Sequence, residues 1–179
     1  MEKNERRDKA PILPILIGTG FGSGFWPWGP GTAGALLATL IWFGCSSLLV
    51  DAAWVEALPV SADSALVLLT VLLVLLFQVL GIWAANKLEP FWGEDPSRVV
   101  VDEMVGVWIA LLAAPAGHVW YGVAAFVLFR FFDIVKPFGV RHMEKMGGGV
   151  GVMMDDVLAG MYSFFVLYLV RYAIIPFIM

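Results

Sequence analysis

The chain has 179 residues, of which 60% are hydrophobic and 15% charged, with a net charge of −4 and one cysteine. A mean hydropathy of +0.85 excludes a disordered chain and an ordinary soluble globule, whose surface would aggregate at this composition. The lone Cys45 excludes a disulfide framework or a cysteine-rich zinc site, and the absence of a long basic run leaves no electrostatic footprint for nucleic acid.

These properties predict an integral membrane protein, a single all-α domain built as a multi-pass bundle of about five hydrophobic helices. Residues 1–17 read as a charged N-terminal tail with no cleaved leader expected, and residues 18–34 as a glycine-rich loop. The first apolar run is Ala33 to Val50. The second, Ala65 to Ala85, has Gln78 as its one strongly polar side chain, and both are long enough to cross a bilayer at 1.5 Å per residue. Three shorter or interrupted runs follow: Met104 to Ala116 after Asp102 and Glu103, Val119 to Val135 broken by Arg130 and Asp133, and Val157 to Met179 starting directly after Asp155 and Asp156. Pro30, Pro59, Pro90, Pro96, Pro115 and Pro137 punctuate the runs. If five helices alternate, Lys3, Arg6, Arg7, Lys9, Lys87, Arg98, Arg130, Lys136, Arg141 and Lys145 share one side and only Arg171 lies opposite. This predicts a cytoplasmic N-terminus.

Four polar clusters then fall at the same membrane face. Gly18-Thr19-Gly20-Phe21-Gly22-Ser23-Gly24, followed by Gly29-Pro30-Gly31-Thr32, leads into the N-terminus of the first span; it reads either as a phosphate cradle or as an entry loop with Thr32 as N-cap. Asp102 and Glu103 open the third span, Arg130, Asp133 and Lys136 close the fourth, and Asp155 and Asp156 follow the glycines of 147–151 at the start of the fifth. Adjacent acids at a helix start suit its dipole. Beside such apolar helices, however, ionisable groups are costly unless paired or bound to a cation. Asp102 and Gly106, like Asp156 and Gly160, are four apart; the two small-residue faces are expected to pack and bring the acids to a common ion. Oxygen ligands without cysteine suit Mg²⁺ better than zinc. Lys136 and Arg141 are the bases most available to an anion, while Arg130 and Asp133 are spaced to pair along one helix.

The segments TGFGSGFWPWGPGTAGALLA (19–38), VVDEMVGVWIAL (100–111) and FRFFDIVKPFGVRHMEKMGGGVGVMMDDVLAGMYS (129–163) together resemble the phosphatidylglycerophosphatase A family. The resemblance implies a Mg²⁺-dependent enzyme of the bacterial inner membrane that hydrolyses an anionic phospholipid, phosphatidylglycerophosphate, to phosphatidylglycerol and inorganic phosphate. It implies acidic catalytic and metal positions at Asp102, Glu103, Asp133, Asp155 and Asp156. It also implies a phosphate-binding set of Gly20, Gly22, Ser23, Gly24, Thr32, Lys136 and Arg141, with Pro30 and Gly31 matching the rest of the family's glycine-rich opening. Rival phosphatase blocks are absent from the sequence, so the expected nucleophile is water activated by Mg²⁺, with Glu103 or Asp155 as base. The alternative from another class is a cation transporter or channel subunit using the same acids, which would place them nearer mid-bilayer.

Overall fold

The structure, a computed structural model, describes residues 10–51, 60–137, 139–143 and 146–174, the side chains of Arg141, His142 and Ile174 excepted. Lys3, Arg6, Arg7, Lys9, Pro59 and Lys145 lie outside the described residues. Among those described, regular structure is helical throughout. Helix α1 spans Ile12–Gly18, a 3₁₀ turn Ser23–Phe25, α2 Pro30–Val50, α3 Ala62–Trp92, α4 Val101–Leu111, α5 Val119–Val135, α6 Val140–Met143 and α7 Gly148–Leu169, the last continuing through a wider turn at Val170–Ile174. Helices α2, α3 and α7 with its continuation are long and apolar enough to cross a membrane. Leu68, Leu72, Leu75, Leu76 and Val79 leave one side of α3 an exposed hydrocarbon surface.

Helix α4 is the centre of the bundle. Nearly every one of its residues is buried, as expected of a helix apolar all round. Trp108 anchors it, its indole N–H donating to the Ala38 carbonyl at 3.0 Å and its ring meeting Phe77 edge-on with centroids 5.2 Å apart. Apolar burial gains little between helices in lipid, so close packing and small residues must hold them together. The glycines supply this: a Cβ on Gly160 would strike the Gly106 backbone, and one on Gly106 would meet the Phe129 ring and the Asp156 carbonyl. Helices α4 and α7 therefore cross with their backbones touching.

At one end of the bundle, Arg171 donates to the Ala113 carbonyl at 3.0 Å and approaches Asp63, which in turn accepts from the Ala116 N–H at 2.8 Å. The start of α2, the end of α3, the start of α4, the end of α5 and the start of α7 gather at the other end, where the acids lie.

Several boundaries differ from the sequence expectation. The helix of the fifth apolar run starts at Gly148, not after Asp156. Glycine is a poor helix former, but Gly149 packs on the Ile82 carbonyl and its N–H donates to Asn86 Oδ1 at 2.7 Å, so tertiary contact overrides propensity. Asp155 and Asp156 thus sit two turns inside α7 rather than at its mouth. Pro90 does not break the second run but lies in the last turn of α3, and the third run is helical only to Leu111. Helix α2 begins at Pro30 with Gly29 before it, so Thr32 is not its N-cap; proline suits the first helical turn because the N–H it lacks has no helical partner there. Residues 12–17 of the expected N-terminal tail, with the first loop residue Gly18, form α1.

Candidate active site

The glycine crossing sets the geometry of the acids. Asp102 and Glu103 lie in the first turn of α4, Asp156 faces them from α7 across Gly106 and Gly160, and Asp133 comes from the last turn of α5. One carboxylate oxygen each from Asp102, Glu103 and Asp156 lies within 4.8 Å of the others. The Asp133 carboxyl lies near enough to Asp156 for their charges to interact, as Glu103 does to Asp102. Asp102 and Asp156 are only 7% and 3% exposed. At such separations and an effective dielectric near 20, each pair of unit charges repels by on the order of 3 kcal/mol. Burial removes the water that would screen them.

The cluster is only partly neutralised by the chain itself. Arg130 Nη1 lies 2.6 Å from Asp133 Oδ2, the pairing the i,i+3 spacing anticipates. Glu103 Oε2 is buried with no hydrogen-bond partner among the described residues. Hard oxygen donors converging from two backbone-locked helices, with an orphaned carboxylate oxygen among them, fit a hard divalent cation of the Mg²⁺ type.

Asp155 is not part of this group. Adjacent helix residues point about 100° apart, and its Oδ2 takes an ion pair from Lys136 Nζ at 2.9 Å. Its side chain borders a separate cavity of ≈ 90 Å³ shared with Glu94, Asp95 and Gly148. Lys136, in a left-handed conformation just past α5, is turned toward that partner. The Arg141 side chain lies outside the described residues.

The glycine-rich opening divides in two. Gly20 and Gly24 are packed against the segment leading into α4, where side chains would meet Met104 and the Arg98 carbonyl, and Val100 N–H donates to the Gly18 carbonyl at 2.8 Å. The Ser23 hydroxyl donates locally, to the Gly20 and Thr19 carbonyls, and Gly22 takes a left-handed φ of 95° in the same turn. This part of the loop braces α4. Thr32 is exposed. Gly31 is the residue of the opening that reaches the acids: a Cβ there would collide with the Glu103 carboxylate and come within 3.2 Å of Arg130 Nη1. The part played by Arg130 was not legible from spacing alone, because an i,i+3 partner accounts for it; its proximity to Gly31 and Glu103 appears only in three dimensions.

Comparison with known proteins places the chain among lipid phosphatases by sequence. Residues 16–171 match the family described as phosphatidylglycerophosphatase A. A Bacteroides thetaiotaomicron protein named putative phosphatidylinositol-3-phosphatase is 62% identical over 165 residues, covering 91% of this chain and 96% of that protein. Proteins named phosphatidylglycerophosphatase A from Haemophilus influenzae and Escherichia coli are 37% and 33% identical, covering 96% and 87% of this chain and 98% and 81% of their own lengths. No solved structure matches.

Proposed function

Because the chain belongs to the phosphatidylglycerophosphatase A family, we propose that it hydrolyses phosphatidylglycerophosphate to phosphatidylglycerol and inorganic phosphate. In this reading Mg²⁺ is the cofactor and the site faces the cytoplasm at a bacterial inner membrane. Membership makes the chain a phosphatase, and the transporter alternative gives way to it. The observation that carries the reading is the convergence of Asp102, Glu103 and Asp156 within 4.8 Å in a largely apolar helical bundle.

Asp102 and Asp156 would hold the cation, with Glu103 at their side; when bound it supplies Lewis-acid stabilisation of charge on the phosphoryl oxygens. The chain does the rest. Gly31 lets the start of α2 approach the Glu103 carboxylate, and the rigid α4–α7 crossing holds the acids in place before substrate arrives, which is where preorganised electrostatics gains its advantage. Glu103 Oε2, buried and without a hydrogen-bond donor among the described residues, is the atom we assign to take the proton from the attacking water and return one to the departing glycerol oxygen as its bond to phosphorus breaks, so that the free alcohol and inorganic phosphate leave. Asp133 stands beside Asp156 and holds Arg130 at the edge of the cluster.

The test is phosphate release by purified protein from phosphatidylglycerophosphate with Mg²⁺ or EDTA, beside Asp102→Asn, Asp133→Asn and Asp156→Asn. Phosphatidylinositol 3-phosphate belongs in a parallel arm, since the 62% identical relative carries that name. Hydrolysis of the glycerol lipid that falls with EDTA and with each variant is expected. Undiminished turnover in EDTA would remove the metal, and turnover of the inositol lipid alone would replace the substrate.

A further inference from the structure

We propose that Arg130 is the group that grips the substrate's phosphate, a reading that rests on the phosphatase function above. Lys136 is turned to Asp155 at 2.9 Å, on the cavity side of α7. Arg130 instead lies at the carboxylate cluster itself, one turn before Asp133 on α5. Its Nη1 is occupied by the ion pair with Asp133 Oδ2 at 2.6 Å, while its Nε is buried with no hydrogen-bond acceptor among the described residues.

A guanidinium has only donors, so what completes it must be rich in acceptors; a metal ion cannot serve, and a phosphate monoester dianion can. Its planar fork matches two phosphate oxygens, and a charge-assisted pair of that kind is strong where water is excluded. Gly31 lets the start of α2 lie against both groups, since a Cβ there would collide with the Glu103 carboxylate and come within 3.2 Å of Arg130 Nη1. Acids that draw a cation and an arginine that draws an oxyanion thus stand side by side, as binding a cation-paired phosphate requires. Asp133 then acts as a positioning residue, holding the guanidinium in orientation.

Arg130→Lys keeps the charge and loses the fork, and Arg130→Gln keeps the stem and loses the charge, giving two variants for the same readings. These are KM for the lipid, the inhibition constant of inorganic phosphate, and the thermal shifts produced by Mg²⁺ alone and by Mg²⁺ with phosphate. The expected result is that KM and the phosphate constant rise together by about tenfold or more, with the phosphate-induced shift lost and the Mg²⁺-induced shift retained. A phosphate constant within twofold of the parent would overturn the assignment, as would equal loss of both thermal shifts, which marks a purely structural role. If the parent protein hydrolyses neither lipid, the functional reading falls. The inorganic-phosphate shifts would then still decide whether Arg130 binds an oxyanion.

Discussion

Lys136 Nζ lies 2.9 Å from Asp155 Oδ2, while the next residue along α7, Asp156, joins Asp102 and Glu103 on a different face of the same helix. Two adjacent aspartates therefore do different work. Asp156→Asn is expected to lower kcat by about 10²-fold or more, whereas Asp155→Asn, which removes an ion pair outside the acidic group, should cost no more than about tenfold. Steady-state kinetics on the two variants, with Lys136→Met expected to match Asp155→Asn, checks this.

The α4–α7 crossing should be intolerant of a single added methyl. Gly160→Ala drives a Cβ into the Gly106 backbone, which has no side-chain end to move aside, and is expected to destabilise by about 1–3 kcal/mol. Gly44→Ala, with nothing within 4 Å of its Cβ, should be neutral or slightly stabilising. Thermal unfolding of the two in the same detergent makes the comparison.

Gly31→Ala tests the site rather than the fold. The atoms a methyl would meet are the ends of the Glu103 and Arg130 side chains, which can shift, so the melting temperature should change little while kcat/KM falls by about tenfold or more. An activity assay beside a melting curve separates the two effects.

A cation held by the acids should stabilise the folded state by mass action. Mg²⁺ at about 100 times its dissociation constant should add about 2.7 kcal/mol, and Asp102→Asn should abolish that gain. Melting temperatures across a Mg²⁺ titration provide the readout. The far-end pair of Arg171 and Asp63 lies away from the acids, so Arg171→Gln should leave turnover and the Mg²⁺ response unchanged.

The i,i+4 spacing of Asp102 with Gly106 and of Asp156 with Gly160 was enough to predict which helix faces meet, because small residues and costly charges on one stripe have few other uses inside a membrane. The Val119–Val135 helix and the Arg130–Asp133 pair were legible for similarly local reasons. What depended on distant contacts was not. The glycines of 148–151 become helical only against Ile82 and Asn86, and Ile12–Gly18 is too short, with Pro14 inside it, to show a helical period. Nor does spacing reveal that Glu103 turns into the acidic group while Asp155 turns to Lys136, since either orientation satisfies a helix. The bracing role of Gly20 and Gly24 depends on Met104 and Arg98, some 80 residues away in the chain.

The backbone contact between Gly106 and Gly160 leaves no side chain at the crossing through which mutation could adjust the spacing of Asp102 and Asp156. Any drift that tunes this centre toward a different lipid or ion must come from the movable walls, α2 at Gly31 and α5 at Arg130 and Asp133. Functional divergence among relatives should accordingly be sought in those two helices, with the α4–α7 seam left unaltered.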